Sequence, residues 1–180
     1  SSIGALWGVP YLNALGLPTG EGAHCVSFLW IGLGLGSVFM GWLSERLGSR
    51  RVPTLLCFVF CIMGSLVLIE ARYCPVWLVA IALFLIGVSA GNQALSFAWL
   101  KDRCPPHLFT SFSGLNNMAA ILGGAFSQLT LGIGLTQLKS LGYTGHEGLI
   151  HSYQLIFLMI PISSAVGFVI ALFQLKQPEP

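Results

Sequence analysis

Long apolar stretches, broken by short polar or proline-bearing turns, set the pattern of this chain. Charge-free runs cover residues 1–20, 22–44, 52–69, 73–100, 104–138 and 148–175. The shortest, 52–69, has 18 residues, which as a helix spans about 27 Å. A bilayer's hydrocarbon core is roughly 30 Å thick. The longest run, 104–138, must hold a turn as well as a helix, and Cys104-Pro105-Pro106-His107 supplies it. The pattern predicts six membrane segments, at about 1–17, 22–44, 53–70, 75–99, 109–135 and 151–175. Each must satisfy its own backbone in lipid, so helices are the default. A β-barrel would need alternating strands of roughly ten residues, and these runs do not alternate. The expected fold is all-α, a polytopic membrane protein whose residues 1–180 form one six-helix bundle.

Composition agrees and narrows the classes. Of 180 residues, 8 are basic and 6 acidic, so 8% are charged, against roughly 25% in soluble domains. Hydrophobic residues make up 55%, and the mean hydropathy is +0.82. A soluble domain, a disordered tail and a nucleic-acid partner are excluded, the last because phosphate contacts need clustered Lys and Arg. The partner of such a surface is the lipid bilayer.

The placement of the charges orients the segments. Arg46, Arg50 and Arg51 follow segment two, Lys101 and Arg103 follow segment four, and Lys176 follows segment six. The alternate loops carry only Arg72 and Lys139 as basic residues. The positive-inside rule places the six-residue side, with loops 45–51 and 101–106 and the C-terminus, in the cytoplasm. Ser1 opens the chain with neither an initiator Met nor a basic leader, so we expect a longer parent protein.

Prolines and cysteines add smaller constraints. Pro53 and Pro75 stand at helix starts, where a missing N–H costs nothing. Pro10 and Pro161 lie inside runs and should kink or break their helices. Cys25, Cys57, Cys61, Cys74 and Cys104 form no CxxC pair and read as buried free thiols. His146-Glu147 and His151 superficially suggest a metalloprotease helix, but the histidines are five apart instead of four and read as loop residues. Gly32, Gly34 and Gly36 lack the strand-turn-helix setting of a phosphate loop. No acid, base, metal or nucleophile cluster exists, so neither an enzyme nor a cofactor is expected, and no carboxylate, Lys or Arg stands near a segment centre.

Helical wheels separate the faces. In segment five, Asn116, Ala120, Gly123, Ser127 and Thr130 share one side, flanked by Asn117, Gly124 and Gln128. Leu115, Met118, Leu122, Phe126, Leu129 and Ile133 hold the other. Such amides either line a wet cavity or bond helix to helix. In segment four, Ser89, Asn92, Gln93, Ser96 and Trp99 face away from Gly87, Ala90, Gly91, Ala94 and Ala98. The small face should pack on another helix, as should Gly32 and Gly36 at small-xxx-small spacing in segment two. In segment one, Gly8 and Pro10 weaken the helix between Trp7, Tyr11 and Asn13, as a flexible substrate-facing gate would require.

The turn after segment two reads Gly41-Trp42-Leu43-Ser44-Glu45-Arg46-Leu47-Gly48-Ser49-Arg50-Arg51. It resembles the signature loop of the major facilitator superfamily, Gly-x-Leu-Ala-Asp-Arg-x-Gly-Arg-Arg/Lys. Gly41, Leu43, Arg46, Gly48 and Arg50 match in place; Ser44 replaces the small Ala, Glu45 keeps the acid, and Ser49 departs from the usual basic residue. The chain is more similar to the second half of a bacterial-type member. Trp7-Gly8-Val9-Pro10-Tyr11-Leu12 resembles the seventh-helix gate, and segment five, with Gly114, Asn116-Asn117, Gly123-Gly124 and Gln128, resembles the eleventh helix.

The resemblance implies one half of a twelve-helix carrier in a bacterial inner membrane, partnered by an absent N-terminal six-helix half and moving a small solute by alternating access. It also implies a substrate cavity lined by segments one, two, four and five, with three and six outside. The substrate candidates are Trp7, Tyr11, Asn13, Ser89, Asn92, Gln93, Ser96, Asn116, Asn117 and Gln128, and the gate is Gly41, Glu45, Arg46, Gly48, Arg50 and Arg51. The alternative is a non-transporting membrane receptor or sensor on the same helices, with the amide faces dry.

Overall fold

The computed structural model describes residues 3–143 and 145–174. A π-helical turn, Ile3–Trp7, leads into α1 (Gly8–Ala14). There follow α2 (Thr19–Leu47), α3 (Arg51–Ile69), a 3-10 turn at Ala71–Tyr73, α4 (Val76–Ser89), α5 (Asn92–Arg103), α6 (Phe109–Ser140), α7 (Gly145–Phe157) and α8 (Met159–Gln174). All regular structure among the described residues is helical. Five stretches, Thr19–Leu47, Arg51–Ile69, Val76–Arg103, Phe109–Ser140 and Gly145–Phe173, are long and apolar enough to cross a membrane.

Segment one ends earlier than its expected bound of residue 17, as the helix stops at Ala14. Its end has a local cause. Gly16 takes φ 93, Leu17 N–H bonds back to Leu12 O at 3.1 Å, and Pro18 follows, a glycine stop of the left-handed type. The π-to-α transition falls beside Gly8 and Pro10, and the α7–α8 break at Leu158 falls three residues before Pro161. In both places the proline cannot donate to the preceding turn.

Segment four is bent at Ala90-Gly91, so the single continuous wheel does not apply beyond it, and Ala94 is exposed. His146 and His151 are not loop residues. They lie on α7, where His151 stacks on Tyr143 at 5.5 Å between ring centroids.

Glycines set the closest helix crossing. A methyl on Gly87 would fall on the carbonyl oxygen of Leu29, and one on Gly32 on that of Phe84. On Gly36 it would sit 2.5 Å from Val88 Cα, and on Gly91 2.7 Å from the Gly36 oxygen. Two small-xxx-small pairs, Gly32/Gly36 on α2 and Gly87/Gly91 on the α4–α5 stretch, thus bring backbone onto backbone, a contact only glycine permits. On the other side, a methyl on Gly64 of α3 would lie 2.6 Å from Ala82 O, and one on Gly167 of α8 would fall on the Phe58 ring. The order of packing is therefore α2 on α4, α4 on α3, α3 on α8. The polar helix α6 touches α5 and α7 and is otherwise almost wholly exposed.

The end opposite the signature loop is tied by polar groups. Tyr11 is fully buried, and its hydroxyl donates to Leu68 O at 3.0 Å and Ile69 O at 3.2 Å. Gln154 donates to the same Ile69 carbonyl at 2.9 Å. These bonds satisfy the last carbonyls of α3, which have no partner within their own helix. Arg72 and Glu147 pair across the loops, with Nη2 to Oε1 at 2.8 Å.

Candidate functional site

Two clefts flank the N-terminal helical stretch. The first, of about 470 Å³, lies between α2 and the α4–α5 bend and is lined by Leu29, Trp30, Leu33, Ile86, Ala90, Asn92, Gln93 and Ser96. The second, of about 680 Å³, lies between the first turn and α6, with Leu6, Gln128, Gly132, Thr136 and Gln137 on its walls. Gly4 packs beside the first: a methyl there would meet Leu29 at 2.9 Å and Trp30 at 3.4 Å. Both clefts are walled mainly by apolar side chains, with carboxamides and hydroxyls among them and the Trp30 indole in the first, and their described walls carry no charged side chain.

The bend in segment four creates the first cleft. Gly91 must approach α2 closely, the chain turns there, and α5 restarts with Asn92-Gln93 aimed away from the packed face. Asn92, Gln93 and Ser96 of the expected set come together here. Ser89 lies nearby, but its hydroxyl is spent on Ile86 O at 2.6 Å.

Segment five contributes in two ways. Gln128 lines the second cleft. Asn116 donates from Nδ2 to Ser96 Oγ at 2.9 Å, so this amide bridges α6 to α5. Asn117, one position on, is exposed. Trp7 is partly buried against Gly132, a wall residue of the second cleft, and its indole nitrogen has no hydrogen-bond partner among the described residues. A buried donor without an acceptor is costly.

One expected contact is corrected. Tyr11 sits in the apolar core with Tyr153 and Phe157, at ring distances of 5.4 and 5.1 Å, and anchors α3 instead of facing a cleft. Asn13 is at the mouth of the α1–α2 turn, where its amide reaches Thr19 Oγ1 at 3.4 Å.

The signature turn is built around a residue that departs from the family pattern. Gly48 takes φ 60, closing α2 with its N–H on Glu45 O, which only a residue tolerant of the left-handed region allows. Ser44, buried under this turn, donates to Ser49 O and accepts from Arg50 Nη1 at 3.1 Å. Arg50 Nε then reaches Asp102 Oδ2, at the end of α5, at 3.0 Å. Arg46 lies over the Trp42 ring, 5.1 Å from its centroid. Glu45 is exposed and forms no ion pair among the described residues. The acid that holds the signature arginine is therefore Asp102, which sequence reasoning passed over. Its only signal was a lone acid between Lys101 and Arg103.

Comparison with known proteins comes down to one match. The model of the Major Facilitator Superfamily matches residues 1–180. No similar curated protein and no similar solved structure is found.

Proposed function

Because the chain belongs to the major facilitator superfamily, we propose that it forms the substrate-binding and gating half of an alternating-access carrier for a small solute. The superfamily consists of membrane transporters, not enzymes, and membrane transport in general is what its members do. The finer reading rests on one observation. Asn92, Gln93 and Ser96 line a charge-free cleft between α2 and the segment-four bend, while Arg50 and Asp102 tie the neighbouring loop end.

An apolar cavity set with amides, hydroxyls and an indole, with no charge in its walls, recognises neutral or zwitterionic solutes through hydrogen bonds and ring contacts. Trp7, Gln93, Asn92, Ser96, Asn117 and Gln128 carry that role, with Asn116 bracing Ser96. The second six-helix half would close the other side of the cavity. The signature side faces the cytoplasm of a bacterial inner membrane by its excess of basic residues. There the Arg50–Asp102 pair holds the ends of α3 and α5 together in this conformation and must part if they separate, which biases the equilibrium between states. Glu45, Arg46, Gly41, Gly48 and Arg51 complete the gate, Glu45 as the acid free to take a partner in the other state.

The test is water access. In a cysteine-free background, single cysteines at Asn92 and Gln93 should react with a membrane-impermeant thiol reagent, and a transported solute should slow the reaction. No reaction from either side of the membrane would overturn the cavity and favour the dry receptor, for which the Asn116–Ser96 bond already offers an example of an amide used as glue.

A further inference from the structure

A third cleft, of about 410 Å³, opens on the opposite side of α5, between α3, α5, α6 and α8. Segments three and six, expected to be plain outer helices, contribute part of its wall. Its lining is mostly apolar, with Thr54, Asn92, Ser96 and Asn116 as polar groups set into it. Neither the Thr54 hydroxyl nor the Asn92 carboxamide has a side-chain hydrogen bond among the described residues. Such groups beside hydrocarbon require a partner.

The rim is cationic. Arg51 stands three residues before Thr54, and Arg103 four residues after Trp99. Each therefore lies on a cleft-lining face of its helix, one turn nearer the loops. Arg103 stacks on Trp99, a wall residue, with its guanidinium carbon 4.1 Å from the ring centroid. The nearest acid in sequence, Asp102, is held by Arg50, which leaves Arg103 to face an outside anion. Below the rim, exposed apolar side chains of α8, among them Val166, Ile170 and Phe173, run along the lipid-facing surface.

Cations at the interface, hydrogen-bonding groups one to three turns deeper and an apolar track beyond them match one class of molecule in depth and order. We propose that this cleft binds an anionic phospholipid of the leaflet on the signature-loop side. Arg103 and Arg51 take the phosphate, Thr54, one turn below Arg51, takes a glycerol or ester oxygen, and an acyl chain runs along α8 past the deeper Asn92 and Asn116. The cleft is too small for a whole lipid, so the tails stay in the bilayer. Asn92 and Ser96 also line the first cleft, so lipid occupancy and solute binding share one turn of helix.

The test uses the full-length protein purified in detergent, with dioleoylphosphatidylglycerol and dioleoylphosphatidylcholine as probes. Phosphatidylglycerol should raise the melting temperature and stay bound at one per chain in native mass spectrometry, while phosphatidylcholine should do neither. Arg103→Gln should weaken phosphatidylglycerol binding about fivefold, as expected for one cation at a membrane surface. Ile170→Trp, which fills the cleft, should abolish it. Equal effects of the two lipids, an equal effect of soluble glycerol 3-phosphate, or binding unchanged in Arg103→Gln would overturn the proposal. If Ile170→Trp does not insert, the exposed Arg103→Gln variant decides alone. The readout is binding, so it stands or falls apart from any transport result.

Discussion

Replacing Gly36 by Ala tests the crossing that shapes the whole bundle. The added methyl would lie 2.5 Å from Val88 Cα and 2.8 Å from Val88 O, whereas carbon atoms rest about 3.5–4.0 Å apart. The two helices must therefore separate by about 1 Å. A gap of that size forfeits roughly a quarter to a half of each atomic contact along the crossing, and overpacking of this kind costs about 1–3 kcal/mol. Alanine also returns about 1 kcal/mol over glycine inside a helix, which blurs a comparison with wild type. Gly34→Ala removes that ambiguity, because nothing lies within 4 Å of its added methyl and it gains the same helix propensity. The difference between the two variants isolates the crossing, and at about 2–4 °C per kcal/mol Gly36→Ala should melt about 2–12 °C below Gly34→Ala. A fluorogenic thiol reagent reports the transition, since Cys25 and Cys57 are buried and react on unfolding. Coincident melting temperatures would refute the backbone-on-backbone crossing. Gly36→Ala and Gly91→Ala should also combine non-additively, since each adds bulk to one contact.

Asp102→Asn in the full-length protein should alter transport rate at unchanged membrane abundance, and Arg50→Gln should match it; unequal effects in uptake assays would mean the pair does not act as a unit. Glu45→Ala should slow uptake while leaving insertion intact, and unchanged uptake would remove it from the gate. Tyr11→Phe removes the side-chain donor from Leu68 O and leaves Ile69 O with Gln154 alone, and should cost about 1–3 kcal/mol of stability, seen as a lower melting temperature with solute affinity unchanged. Gln93→Leu and Asn117→Leu should each weaken solute binding, measured as a raised KM with little change in kcat; a loss of stability instead would mark the amide as packing.

The class of the protein was legible in the sequence because lipid imposes one local rule. Long charge-free runs must be helices whatever their neighbours, and scarce charges must fall at helix ends or in turns, so α2, α3 and α6 could be read from hydropathy alone. The signature turn was legible for a related reason: Gly48 is needed where the chain passes through the left-handed region. What the sequence could not carry were choices made between segments. Glycine spacing shows that a helix can be approached closely, but only the packed structure pairs Gly36 with Val88 and Gly87 with Leu29. Tyr11 and Gln93 are both polar residues in apolar runs, and their neighbours in sequence do not tell them apart. Tertiary structure seals the first against the end of α3 and leaves the second on a cleft. Asp102, fifty-two positions from Arg50, became its partner only because the α2–α4 crossing and the bend at Gly91 bring those two helix ends together. Local rules fixed which residues enter the membrane; backbone contact between distant glycines decided which of them meet.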